Sequence, residues 1–173
     1  PTSIGHDDDG AGSTYPPDIC HWGNPIVITK GLSLIGAGIG DTVVKVVNNP
    51  GDYIINYTPS DAQLTTNPVF RLSGFTINLN NSTPGGAIKM RHAGISNLTI
   101  QTKVRIDHNR FMNPGQYVIW ILGVRGVIDH NVFDVAGHPQ EVIRFSEAPS
   151  DYGMSWWNNW QRHVYGGTDT TMW

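Results

Sequence analysis

Cysteine is nearly absent from this 173-residue chain: Cys20 stands alone, which excludes an internal disulfide and a cysteine-based zinc site. Charge is scarce too, at 14% of residues. With 11 Lys and Arg against 14 Asp and Glu, the net charge of −3 gives no general attraction to nucleic acid or to an anionic membrane. No apolar run approaches the eighteen residues that a membrane-spanning helix needs. Apolar periodicity at i, i+3, i+4 and i+7 is also missing from the most regular part of the chain, which argues against a helical protein. Turn formers, by contrast, are plentiful, with 20 Gly and 11 Pro. Low charge and many corners suit an all-β chain long enough for one domain with a sizeable core.

One phrase is written twice. Val104-Arg105-Ile106-Asp107-His108-Asn109-Arg110-Phe111 returns as Gly126-Val127-Ile128-Asp129-His130-Asn131-Val132-Phe133. Ile106 and Ile128 are 128 − 106 = 22 residues apart. A period of this size points to a solenoid, in which each repeat buries its apolar face against the next. Apolar residues fall at short-strand spacing and are interrupted by a bend. Asn tolerates the left-handed conformation of a sharp corner, so Asn109 and Asn131 are expected at equivalent corners, stacked one coil apart. Leu72-Ser73-Gly74-Phe75-Thr76-Ile77 aligns with Ile106 to Phe111 and sets Gly74 opposite His108. Strand alternation from Ile106 and Ile128 points His108 and His130 inward, as a structural hydrogen-bonded ladder, and Asp107 and Asp129 outward.

These coils resemble the right-handed parallel β-helix proteins of the pectate-lyase-like superfamily, which carry asparagine ladders and I-D-H-N-x-F coils. Arg105-Ile106-Asp107-His108 and Val127-Ile128-Asp129-His130 match the W-I-D-H motif of pectate lyases without the Trp. Ile28-Thr29-Lys30-Gly31-Leu32-Ser33-Leu34-Ile35-Gly36-Ala37-Gly38 is similar to a first coil of such proteins. The same glycines do not make a nucleotide loop. A Val-rich strand from Asp41 to Val47 follows them where a dinucleotide fold needs an amphipathic helix. The expected architecture is an all-β, right-handed parallel β-helix over residues 26–173, preceded by a loop or cap region over 1–25. It reads as incomplete at the carboxy-terminal end, where Met172-Trp173 follows the Gly166-Gly167 turn. Uncapped coils of this kind would associate end to end or laterally.

Three segments read as equivalent strands of successive coils: Ala87–Arg91, Val118–Leu122 and Val142–Ser146. With Ile88/Met90, Ile119/Ile121 and Ile143/Phe145 inward, Lys89, Trp120 and Arg144 form an outward column, which Arg91 extends. Such a column suits an acidic polysaccharide, because indole faces stack on sugar rings while Lys and Arg neutralise uronate carboxylates. The alternative is an ordinary exposed strand face with a half-buried Trp.

The resemblance implies polysaccharide binding, and cleavage by β-elimination if the chain is an enzyme. Arg144 or Lys89 would then be the catalytic base, with Trp120, Arg91, Glu141, Glu147 and Arg162 binding substrate. Tyr117 and His163 are further candidates. In pectate lyases Ca²⁺ held by coil-borne carboxylates assists, and Glu141 and Glu147 would offer oxygens beside Arg144. The family's full group of calcium carboxylates has no residue-by-residue match here, and paired carboxylates for inverting hydrolysis are missing from the coil strands. Asp7-Asp8-Asp9-Gly10 lacks the spacing of an EF-hand loop and reads as a solvated acidic loop. Ile95–Ile100 reads as an extra strand or insertion. Trp156, Trp157 and Trp160 lie in a Trp-rich insertion around 150–165, either pinning a loop to the coils or forming a sugar platform. The resemblance implies an extracellular or cell-surface setting, which the single cysteine leaves open because a long stacked core does not need disulfides. Rival readings are a non-catalytic adhesive solenoid and a purely structural stack.

Overall fold

Strands in this chain are short because a corner residue or glycine interrupts each apolar run after three to seven residues. The computed structural model describes residues 19–47, 51–81, 85–91, 101–115, 117–122, 124–135 and 142–145. Strand β1 (Ile19–Trp22) comes first, inside the region expected to be loop or cap. The first complete coil follows as β2 (Ile26–Ile28), β3 (Leu32–Ile35) and β4 (Val43–Val46). The second is β5 (Ile55–Tyr57), β6 (Phe70–Ser73) and β7 (Thr76–Asn78). The third is β8 (Ile88–Arg91), β9 (Gln101–Asp107) and β10 (Arg110–Met112). The fourth is β11 (Ile119–Leu122), β12 (Val124–Asp129) and β13 (Val132–Asp134), after which β14 (Ile143–Phe145) opens the next. A four-residue helix, α1 (Asp61–Leu64), sits in the polar segment between β5 and β6.

Every third strand stacks on its predecessor, and every pairing among the described residues is parallel. The sheets run β1-β4-β7-β10-β13, β2-β5-β8-β11-β14 and β3-β6-β9-β12. This is a right-handed parallel β-helix with three faces. The 22-residue repeat becomes direct stacking: Ile106 pairs with Ile128, and Phe111 with Phe133. Leu72 lies against Ile106 and Ile77 against Phe111, which carries the same register into the preceding coil.

The core is the axis of the stack. Ile54, Ile55, Tyr57, Phe70, Ile88, Met90, Ile106, Phe111 and Ile119 are fully buried. Phe111 and Phe133 stack at 5.3 Å between centroids, as do Tyr57 and Phe70 at 4.2 Å. Burying each such side chain contributes about 1.5–3 kcal/mol, and coil-to-coil stacking repeats the gain along the axis.

The corner between β9 and β10, repeated between β12 and β13, corrects one expectation. The left-handed residue there is not asparagine but the residue before it: His108 has φ 55° and His130 has φ 53°. Gly74, aligned with them, has φ 81°. Asn109 and Asn131 form the ladder instead. Asn109 is fully buried, and its Nδ2 donates to Leu72 O at 3.0 Å, Asp107 O at 2.9 Å and Asn131 Oδ1 at 3.0 Å. Its Oδ1 accepts from the Phe75 backbone N–H at 3.1 Å. Asn131 Nδ2 repeats the pattern to Ile106 O and Asp129 O.

Candidate functional site

Alternation in the β2-β5-β8-β11-β14 sheet decides what faces outward. Ile88, Met90, Ile119 and Ile121 are buried on the inner side. Lys89, Trp120 and Arg144 therefore share the outer side, and they are direct register partners: Lys89 with Trp120, Trp120 with Arg144. Two rung spacings of about 4.8 Å make this column about 10 Å long. Asn56 pairs with Lys89 one coil earlier and Val27 with Asn56, so the column continues toward β2. Arg91 lies at the exposed end of β8, two residues beyond Lys89.

The column is supported from its flanks. Lys89 Nζ lies 4.8 Å from the centre of the Trp120 ring, a cation–π contact, and 3.5 Å from Asp52 Oδ1. Asp52 also accepts from Asn56 Nδ2 at 3.1 Å and from the Tyr53 backbone N–H at 2.8 Å. Tyr53 packs against Trp120 with ring centroids 5.8 Å apart. Arg144 Nη1 donates to Tyr117 Oη at 2.5 Å, and its guanidinium lies 4.7 Å from the Tyr117 ring and 5.8 Å from the Trp120 ring. Two buried polar atoms of the column, Asn56 Oδ1 and Trp120 Nε1, have no hydrogen-bond partner among the described residues. A donor and an acceptor held without partners are costly unless another group satisfies them.

Glu141, Glu147, Arg162, His163, Asp7–Asp9, Ile95–Ile100 and the Trp156–Trp160 cluster lie outside the described residues. Among the described residues no group of three or more His, Cys, Asp or Glu is arranged to hold a metal ion. Asp52, the carboxylate set against the column, is occupied by Lys89, Asn56 and a backbone N–H. It does not by itself make a calcium site, which takes six to eight oxygens.

A second polar array covers the neighbouring β6-β9-β12 face. Arg71 grips Asp107 with two bonds, Nε to Oδ1 at 2.8 Å and Nη2 to Oδ2 at 2.6 Å. Arg105 repeats this grip on Asp129, one coil on, at 3.2 and 2.8 Å. Ser73 Oγ also donates to Asp107, at 3.1 Å. Hydrogen bonds from Arg71 hold the Asp107 carboxyl well below the usual carboxylate range; burial opposes this, while His108 and Ser73 add to it. Arg105 and then His130 lower Asp129 in the same way. The hydrogen bond to Asp107 likewise raises the Arg71 pKa.

His108 and His130 overturn the inward placement expected from alternation. Their left-handed backbone breaks the alternation and turns the rings out, leaving 58% and 67% of each side chain exposed. Each Nδ1 lies 2.9 Å from the carboxylate of the preceding Asp. The Arg–Asp pairs went unrecognised in the sequence, although the signal was present: the 22-residue offset sets Arg105 level with Val127, two residues before Asp129 on the same face.

Comparison of the chain with protein-family models, with curated proteins and with solved structures found no match to any of the three.

Proposed function

We propose that this β-helix is an extracellular or cell-surface polysaccharide-binding protein of the pectate-lyase-like kind. Its ligand is an acidic, uronate-containing chain lying along the Lys89–Trp120–Arg144 column. The observation that carries the reading is the register itself, which alternates a cation, an indole and a cation on three consecutive rungs of one face. A polymer running parallel to the helix axis meets them in turn, a sugar face against Trp120 and carboxylates against Lys89 and Arg144. Asp52 competes for Lys89, but the contact is long at 3.5 Å and partly exposed, so a uronate displaces it at little cost.

Retention without cleavage is the reading supported best. β-Elimination requires Lys89 or Arg144 to reach a sugar C–H proton, and each is directed onto an aromatic ring. The test is retention on immobilised polygalacturonate and on a neutral glucan. Salt-sensitive retention on the acidic polymer alone, with no product absorbing near 235 nm, supports the reading. Passage through both columns unretained overturns it, and appearance of the absorbing product replaces binding with lyase activity.

A further inference from the structure

The outward turn of the two corner histidines gives them a chemistry that an inward ladder would lack. Their rings are parallel, with an interplanar angle of 2° and centroids 4.9 Å apart. Each Nδ1 faces an acceptor-only carboxylate, so Nδ1 carries the proton and Nε2 presents its lone pair at the outer edge. Among the described residues neither Nε2 has a partner. A carboxylate behind each imidazole is the arrangement that fixes the tautomer and raises the basicity of histidines bound to metals.

We propose that His108 and His130 form a two-histidine clip for a divalent transition-metal ion such as Zn²⁺, Ni²⁺ or Cu²⁺, with water completing the coordination. Imidazole nitrogen selects these ions over Ca²⁺ or Mg²⁺, which take oxygen ligands. Metal–nitrogen bonds of about 2.0–2.1 Å meeting at about 90–110° place two ligating nitrogens about 3.0–3.4 Å apart, with both lone pairs aimed at the ion. The rings stack at 4.9 Å with their planes parallel, so their outer edges must tilt toward each other by about 1.5–2 Å to converge on one ion. Both rings are more than half exposed and have room to do so. The charge balance also permits it, because Arg71 and Arg105 are matched by Asp107 and Asp129. The clip bridges the third and fourth coils, so a bound ion staples consecutive rungs.

The test uses the whole chain, with Ni²⁺ followed by titration calorimetry and Zn²⁺ followed by long-range ¹H–¹⁵N spectra of the imidazoles. Asn accepts the left-handed backbone at both positions, so His108→Asn and His130→Asn keep the corner. Expected are one ion per chain, at least about tenfold weaker binding in each single variant, and about tenfold weaker binding in Asp129→Asn. Zn²⁺ should shift the Nε2 resonances of both rings in the unmodified chain, and Ni²⁺ should raise the Tm of that chain but not of His130→Asn. Affinity that stays within about twofold in both histidine variants overturns the proposal. So does a Zn²⁺ response confined to other histidines, a readout that does not depend on any variant folding.

Discussion

The side-chain amide of Asn109 donates to the side-chain oxygen of Asn131, 22 residues later, at 3.0 Å. That oxygen also accepts from the Asn109 backbone N–H at 3.0 Å, so the two corners are fastened twice. Asn109→Ala withdraws a fully buried amide from two carbonyls and an N–H. Urea denaturation should show a loss of about 2–4 kcal/mol, the usual result of leaving buried backbone groups unsatisfied.

Gly74 meets a different limit. It sits at φ 81° directly over Gly36, where an added Cβ would come within 2.6 Å of the Gly36 carbonyl oxygen. The neighbour is backbone and cannot swing aside. Gly74→Ala should cost about 2 kcal/mol or more, visible as a lower Tm in scanning calorimetry.

How far the sequence reveals this molecule depends on which side chains follow a period. Ile106, Phe111 and their partners at 128 and 133 recur at 22 residues, so the stacking of coils was legible. Lys89 and Trp120 were legible as neighbours because buried Ile and Met flank both in strict alternation, and Arg144 because Ile143 and Phe145 take the same positions in the next rung's register. The corner was misread at one residue. Asn is the usual non-Gly occupant of left-handed backbone, but here its amide is needed for the ladder, and the strain falls on His108 and His130. Alternation fails at such a residue, which is why both rings were expected inside. The flanking Asp52 and Tyr53 belong to a turn without periodicity, and nothing in the sequence pairs them with Lys89 or Trp120.

Acid should expose the Arg71–Asp107 pair. The folded state lowers the Asp107 pKa, so the pair's contribution is complete above the unfolded carboxylate value of about 3.9. It is lost as the pH falls from there toward the folded value. Urea midpoints measured from pH 6 downward should drop below about pH 4, and Asp107→Asn should be less stable at pH 6 and lose part of that slope.

Asp52 is predicted to restrain ligand binding rather than assist it. Removing its charge in Asp52→Asn frees Lys89 and takes one repulsive carboxylate from the column. Affinity for oligogalacturonate should rise about two- to fivefold, in line with the worth of a partly exposed ion pair. An unchanged or weaker affinity by calorimetry would count against Lys89 as a uronate contact.

The functional claim is met most directly by titrating isotope-labelled protein with oligogalacturonate and following the Trp120 indole N–H, assigned with Trp120→Phe. This resonance and the backbone amides of Lys89, Trp120 and Arg144 should move together with one Kd. Substitution of Arg144 by Ala should weaken that Kd, whereas Lys45→Ala, on the separate β4 face, should leave it unchanged. Shifts confined to the Arg71–Arg105 face, or none at all, would contradict it.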